Sequence, residues 1–327
     1  MATLKSLIDG FNAATSSSSI PAAALGVSAS PSFIADDTVT IPPGGFSGIY
    51  AFGDSLSDAG NVSIGTLGRL PVAGIYSGGR FTNGNVWVQD LARNLGLPAV
   101  KPSLAGGTDY AIGGAETGTT AVHSANPSDL PAQLGQFVAS VPHPSATALY
   151  TIWAGSNDVL GIANSTETPA QQQASVQQAV TNETNMIAGL IAHGAKNFVI
   201  LNVPDLGKTP YEMARPASDA TSSELAWAYN ADLGAALQQI MASGAVSIDY
   251  VNTFGLLDTA IANPAAYGFT NVTQPVWTGN LTDSHSGKLA ATGAAQNGYL
   301  YFDGLHPTAS AHALLAESVT QTLMGTA

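Results

Sequence analysis

Residues 48–61 read GIYAFGDSLSDAGN and give the first clear indication of how this chain folds. The first five residues of this stretch are apolar or small and predict a short buried strand, which ends at Gly53. Ser55 follows at once in a turn that contains glycine, and such a turn presents the serine hydroxyl at the edge of a sheet. Gly-Asp-Ser is also a good turn sequence in its own right, so this stretch alone leaves a purely structural role open.

Three more short apolar runs repeat this pattern, and each is closed by a loop signal: 149–153, 197–203 and 246–251. Segments with helical spacing of apolar residues accompany them: 85–95, 169–192, 221–241 and 308–323. The alternation of strand and helix predicts an α/β fold with a mostly parallel sheet and helices on both faces. In such sheets, ligands bind beyond the carboxyl ends of the strands.

Two further motifs contain groups that can donate hydrogen bonds to a ligand. Residues 109–117 read DYAIGGAET, and the adjacent Gly113 and Gly114 let backbone N–H groups approach a ligand closely. Glycine pairs are also common turn elements. Residues 153–158 read WAGSND, where Asn157 can either donate its side-chain N–H to an oxyanion or cap a helix.

The fourth motif, residues 301–308, reads YFDGLHPT and is the most specific. Asp303 and His306 are three residues apart, which can place a carboxylate against Nδ1 of the imidazole, and Pro307 suits the first turn of a helix. A nucleophile, a base and an orienting acid are the groups required for serine-based acyl transfer. An N–H pair and an asparagine amide are the groups of an oxyanion hole.

Taken in order, the four motifs resemble those of the GDSL esterase/lipase family within the SGNH hydrolases. Residues 79–88, GRFTNGNVWV, resemble a further stretch found in bacterial phospholipase/lecithinase-like members and in plant GDSL lipases. The resemblance covers the chain from about residue 49 to the C-terminus. It implies a three-layer α/β/α sandwich, flavodoxin-like, with a five-stranded, mostly parallel sheet.

The resemblance also implies a role for each matching residue. Ser55 would be the nucleophile, and Asp303 and His306 would complete its triad. The oxyanion hole would take the backbone N–H groups of Ser55 and Gly114 together with the Asn157 side chain. The pattern Ala-Ile-Gly-Gly-Ala-x-Thr favours the second glycine of the pair for this role.

One residue departs from the family's pattern, because Asp109 stands where asparagine is expected. We expect Asp109 to support the turn and to leave the catalytic groups unaffected. The implied activity is a serine-dependent carboxylic-ester hydrolase of esterase or lipase type that forms an acyl-enzyme. The alternatives are a polysaccharide O-acetylesterase, a phospholipase or an acyltransferase of the same fold. A non-catalytic surface or binding protein would not need the complete set of catalytic residues.

Composition excludes several other classes of protein. The chain has 327 residues, of which 9 are Lys or Arg and 22 are Asp or Glu, so its net charge is −13. The basic residues are scattered singly, which excludes a nucleic-acid partner, and no apolar run is long enough for a transmembrane helix. With no Cys and no His-Glu-x-x-His motif, we expect neither a thiolate site nor a zinc site, and no cofactor is required.

A strongly negative chain is not drawn to anionic membranes, which favours a neutral or soluble ester as substrate, either a small molecule or a lipid or carbohydrate ester.

The sequence divides into an N-terminal arm and one domain. Residues 1–45 are rich in Ser and Pro and predict a mobile or loosely packed arm, and residues 46–327 predict a single SGNH hydrolase catalytic domain. Residues 263–300 predict an excursion near the active site, whose aromatic residues either line the substrate or pack locally: Tyr267, Phe269 and Trp277. Low charge and the resemblance indicate an extracellular or cell-envelope protein, although the N-terminus has no clear signal peptide. The oligomeric state is unassigned.

Overall fold

The computed structural model describes residues 41–42, 45–215 and 219–324, so the predicted arm lies almost wholly outside the described residues. Four strands form one sheet and lie side by side in chain order: β1 Ile49–Gly53, β2 Leu149–Trp153, β3 Asn197–Leu201 and β4 Ser247–Val251. All three pairings are parallel, and the last residues of adjacent strands are register partners. The carboxyl ends of the strands therefore meet at one edge of the sheet.

Helices separate the strands in the chain. The α-helices of the described residues are α1 Asn61–Gly65, α2 Trp87–Asn94, α3 Leu130–Ser140, α4 Ser156–Ala163, α5 Pro169–Ala192, α6 Pro210–Met213, α7 Asp219–Met241, α8 Thr253–Ala262 and α9 Ala309–Leu323. Helices α3, α5 and α7 pack on one face of the sheet, and α2 and α9 pack on the other. The predicted three-layer α/β/α arrangement around a parallel sheet is confirmed.

Successive side chains along each strand point to opposite faces of the sheet, so each strand contributes to both hydrophobic cores. In β2, Tyr150 and Ile152 face the helices of one layer, while Leu149 and Trp153 face the other layer. All five residues of β2 are buried, as expected for a strand covered on both faces. This explains why residues 149–153 form a nearly continuous apolar run, whereas β4 at the edge of the sheet alternates Ser247 and Asp249 with apolar residues.

The predicted number of strands was wrong, because the described sheet has four strands and not five. The segment 108–112 lies beside β1, where the Tyr110 N–H donates to Ala51 and the Ile112 N–H donates to Gly53. Only Asp109 forms a bridge with the strand. The Gly53 N–H, which the next bridge would need, donates instead to the side chain of Gln133 at 3.0 Å, so the pairing with β1 stops at a single bridge.

Residues 263–300 connect α8 to the loop that carries His306. They contain two short 3-10 helices, Pro264–Tyr267 and Gly293–Gly298, and otherwise irregular chain. The N–H groups of Val276 and Trp277 donate to the carbonyls of Tyr301 and Phe302, which attaches this segment to the His306 loop. Across the described ranges, every helix is too short or too polar to cross a membrane.

Candidate active site

A sharp turn at the end of β1 places Ser55 at the carboxyl edge of the sheet. Gly53 has a φ of 134°, and a Cβ atom there would lie 2.0 Å from the carbonyl oxygen of Trp153. Only glycine permits this approach, so the chain can leave the sheet at this point. The buried side chain of Gln133 on α3 fixes the turn, because it accepts from the Gly53 N–H at 3.0 Å and donates to the Gly53 carbonyl at 2.8 Å.

The structure brings Ser55, His306 and Asp303 into one hydrogen-bonded chain. The Ser55 Oγ lies 2.9 Å from Nε2 of His306, and Nδ1 of His306 lies 2.8 Å from Oδ2 of Asp303. Ser55 and His306 expose 6% and 4% of their surface, so both are nearly enclosed by protein. This arrangement can transfer a proton from the serine hydroxyl to an imidazole whose tautomer is fixed by a carboxylate.

Asp303 is kept ionised by the donors around it. Burial alone would raise the pKa of Asp303, but His306 and several hydrogen bonds hold it below its ordinary value. Backbone N–H groups of Leu305 and His306 donate to Oδ1, and the hydroxyl of Tyr76 donates to Oδ2 at 2.7 Å. Sequence reasoning missed Tyr76, which lies 227 positions from Asp303 in a loop without a recognisable motif.

The stretch 79–88 holds the His306 loop from the other side. The Thr82 hydroxyl donates to the carbonyl of Pro307 at 2.8 Å, and the Asn83 side chain accepts from the Ala309 N–H at 2.7 Å. The Phe81 ring packs beside the imidazole of His306, with centroids 5.2 Å apart. This stretch therefore fixes the position of the histidine.

Asn157 lines the same cavity as Ser55, and the other two predicted oxyanion donors are the backbone N–H groups of Ser55 and Gly114. Among residues 45–215 and 219–324, neither the Ser55 N–H nor the Gly114 N–H has a hydrogen-bond acceptor, whereas the Gly113 N–H donates to Asp58 at 2.9 Å. The Asn157 amide donates one hydrogen to the Ala115 carbonyl at 2.9 Å, which leaves its second hydrogen available. These groups can stabilise a negative oxygen that develops beside Ser55.

Buried acids of the motifs connect the catalytic turns to one another. The Asp58 carboxylate accepts from Gly113 and also from the N–H groups at the start of α1. Asp158 on α4 accepts from both the N–H and the hydroxyl of Thr117. Asp109 accepts from the Ala59 N–H at 2.6 Å, which joins the glycine-pair motif to the turn after Ser55. Of the described residues, no group of His, Asp and Glu is arranged to hold a metal ion.

Two cavities meet at His306. The narrow cavity has a volume of about 110 Å³, and Ser55 and Asn157 line it together with leucines of α4, α8 and α9. The wide cavity has a volume of about 630 Å³ and is lined by aromatic and uncharged polar residues around Asp303. Of the three aromatic residues predicted near the substrate, Trp277 lines the wide cavity. Tyr267 and Phe269 line neither cavity and pack together in a separate hydrophobic cluster.

Several titratable groups have a higher pKa in the folded protein than in the unfolded chain. Burial raises the pKa of Glu183 to about 8, against a hydrogen bond from the Tyr229 hydroxyl, and burial raises the pKa of Asp54 to about 7. The pKa of His123 is also raised, to about 10, but here the cause is its hydrogen bonds to Asp129 and Glu116. The folded protein therefore binds more protons than the unfolded chain between about pH 4 and pH 10.

The expected consequence is a melting temperature that falls as pH rises. A raised pKa in the folded state gives stability that is complete below the unfolded pKa and is lost as pH rises through the folded pKa. Two groups act in the opposite direction: Asp303, whose lowered pKa matters only below about pH 4, and His312, whose pKa burial lowers to about 3 and which therefore adds stability as pH rises to about 6.5. The raised groups outnumber them above pH 5.5. Differential scanning fluorimetry should show Tm at pH 9 lower than at pH 5.5 by at least ~5 °C. Glu183→Gln keeps an acceptor for Tyr229 and should reduce this slope, and an unchanged slope would contradict the role of Glu183.

Comparison with known proteins finds relatives that match most of the chain. A family model described as GDSL-like Lipase/Acylhydrolase matches residues 49–319. The chain is 29% identical over 318 residues to a phosphatidylcholine-sterol acyltransferase of Aeromonas hydrophila, over 83% of this chain and 88% of that protein. It is 26% identical over 314 residues to a GDSL esterase/lipase of Arabidopsis thaliana, over 82% of this chain and 85% of that protein. Among solved structures, an extracellular lipase from Streptomyces rimosus aligns with a TM-score of 0.42 and 18% identity, over 84% of this chain and 99% of that chain.

Proposed function

The chain belongs to the GDSL-like lipase/acylhydrolase family and is a carboxylic-ester hydrolase, and from this premise we propose that Ser55, His306 and Asp303 are its catalytic triad. The observation that carries the proposal is the continuous hydrogen-bonded chain from the Ser55 Oγ through the imidazole to the Asp303 carboxylate. The reaction proceeds in two steps through an acyl-enzyme, and both steps use the same three side chains.

In the first step, the Ser55 Oγ attacks the ester carbonyl carbon while Nε2 of His306 accepts the hydroxyl proton. The carbonyl oxygen becomes negative and is stabilised by the N–H groups of Ser55 and Gly114 and by the Asn157 amide. The bond to the alkoxy oxygen then breaks, and the imidazolium returns its proton to this leaving oxygen. The products are the free alcohol and an acyl group on Ser55.

In the second step, water takes the place of the alcohol. His306 accepts a proton from the water as its oxygen attacks the acyl carbon, and the same oxyanion donors stabilise the second intermediate. The bond to the Ser55 Oγ breaks, and the proton held by His306 returns to this oxygen. The carboxylic acid leaves and the enzyme is restored. Asp303 remains ionised throughout and stabilises the imidazolium in both steps.

Replacement of Asn157 with alanine tests the oxyanion donors separately from the triad. Loss of one such donor should lower kcat about 10²–10³-fold, because the donor acts mainly on charge that develops in the transition state. KM should change much less. Steady-state kinetics on a p-nitrophenyl ester measures both. Asn164→Ala at the other end of α4 is the matched control and should keep kcat within about twofold. A change in KM with kcat intact would place Asn157 in ground-state binding.

A phosphonate ester probe tests the nucleophile directly. The probe should phosphonylate Ser55, release its alcohol or phenol leaving group, and abolish turnover of p-nitrophenyl esters in proportion to labelling. Mass spectrometry of the peptide that contains residues 48–61 identifies the modified side chain. Labelling of another serine, with loss of activity, would overturn the assignment of Ser55. Product analysis with added glycerol then separates hydrolysis from acyl transfer, because transfer yields a glyceryl ester and hydrolysis yields the acid.

A further inference from the structure

The two cavities differ in which catalytic groups they contact. Ser55 and Asn157 line only the narrow cavity, whereas Gly113 and Asp303 line only the wide one. His306 lines both and therefore stands at their boundary. An ester has two parts that must occupy different spaces on either side of its carbonyl carbon, and this site offers one space for each.

The chemistry of the reaction decides which part occupies which cavity. The acyl carbon must bond to the Ser55 Oγ, with its oxygen directed at the Asn157 amide, and both groups border the narrow cavity. The alkoxy oxygen must accept a proton from His306, beyond which the wide cavity opens. The acyl chain therefore extends into the narrow cavity, and the alcohol lies in the wide cavity.

The lining of the narrow cavity suits a hydrocarbon chain. Away from the catalytic groups, its walls are formed largely by leucine side chains from separate elements: Leu160, Leu206, Leu256, Leu257, Leu300 and Leu314. Transfer of each methylene from water into such a surrounding favours binding by roughly fourfold. A polar acyl substituent would lose its hydrogen bonds to water without replacement.

The volume of the narrow cavity limits the length of the chain. An apolar cavity of ~150 Å³ accepts a benzene molecule, which corresponds to about 25 Å³ per carbon atom. At about 110 Å³, the narrow cavity accepts about four carbons beyond the carbonyl carbon. Resting on the proposed function, we infer that the enzyme selects esters of short unsubstituted fatty acids, from about four to six carbons, and that the leucine walls of the narrow cavity set this limit.

The test is a series of p-nitrophenyl esters from acetyl to palmitoyl, which varies the acyl chain while the alcohol stays constant. We expect kcat/KM to rise about tenfold or more from acetyl to butyryl, since two methylenes become buried. From hexanoyl to dodecanoyl, kcat/KM should fall at least tenfold. Concentrations are kept below aggregation of the longer esters, so that micelle formation does not determine the profile.

Two variants change the narrow cavity in opposite directions. Leu256 on α8 is half-buried, and Leu256→Ala should enlarge the cavity and raise the ratio of octanoyl to butyryl turnover about tenfold. Ala311→Leu at the start of α9 should fill part of the cavity and shift the optimum toward acetyl. Leu134→Ala, a half-buried leucine on α3 that lines neither cavity, is the matched control and should leave the chain-length profile unchanged.

The outcomes separate this inference from the proposed function. If the wild-type protein hydrolyses no p-nitrophenyl ester, both the proposed function and the acyl assignment fail. If it hydrolyses the series but favours dodecanoyl or longer, and Leu256→Ala leaves that preference unchanged, the acyl chain does not occupy the narrow cavity. In that case the triad stands and the assignment of the two cavities is overturned.

Discussion

The Ser55→Ala variant should lose ester hydrolysis by a factor of about 10⁴–10⁶ in kcat while it keeps its fold. The loss is large because, in the described structure, the Ser55 hydroxyl is the one that is hydrogen-bonded to Nε2 of His306. The fold should survive because the only hydrogen bond that the Ser55 Oγ makes in the described structure is the one to His306. Release of p-nitrophenol at high enzyme concentration measures the residual rate, and thermal melting measures the fold.

A second serine provides the control. Ser222 is buried on α7, and its hydroxyl has no hydrogen-bond partner among the described residues. Ser222→Ala should therefore keep kcat within about twofold, since it removes no interaction near the site. If Ser55→Ala retains more than about 1% of wild-type kcat, and the preparation is free of wild-type enzyme, Ser55 is not the nucleophile.

Asp303→Asn should lower kcat about 10⁴-fold. The amide has a single acceptor oxygen, so it cannot accept together from Tyr76, from the backbone and from Nδ1 of His306 as the carboxylate does. Its NH₂ group would favour the wrong imidazole tautomer, and a neutral amide cannot stabilise the imidazolium. KM should change much less than kcat, because asparagine keeps the size of the side chain that lines the wide cavity.

A double variant shows whether the two residues act as one unit. Ser55→Ala combined with Asp303→Asn should be no slower than Ser55→Ala alone, because the removal of one member of a triad already disables the others. Asp232→Asn, a half-buried acid on α7, is the control for the change from carboxyl to amide and should keep wild-type kinetics. Multiplicative losses in the double variant would show that Asp303 acts independently of Ser55.

Much of the fold was predictable because β-strands buried on both faces leave a clear pattern. Residues 149–153 were predicted as a strand, and β2 occupies the same residues, since both faces of this strand contact helices. The fifth strand could not be predicted or excluded from composition. It depends on the acceptor of the Gly53 N–H, which is the Gln133 side chain, 80 positions away in the sequence.

In the candidate site, contacts between residues close in sequence were predictable, and contacts between distant residues were not. Asp303 and His306 are close in sequence, so their contact follows from a single turn. Tyr76 bonds Asp303, and Gln133 bonds Gly53 in the turn before Ser55. Both come from distant parts of the chain, and only the folded structure brings them near. Asp58 binds the Gly113 N–H, 55 positions away, and only the folded structure shows this contact.

The distance between Ser55 and His306 along the chain has a consequence for synthesis. The two residues are 251 positions apart, and His306 is followed by the helix α9, which packs with α2 on the same face of the sheet. At roughly 5–20 residues per second, a ribosome needs about 12–50 s between them. During this time the nascent chain carries its nucleophile without a base. With the proposed triad, ester hydrolysis begins only after His306 has been made and has reached Ser55, so activity reports the folding of the chain between these two residues.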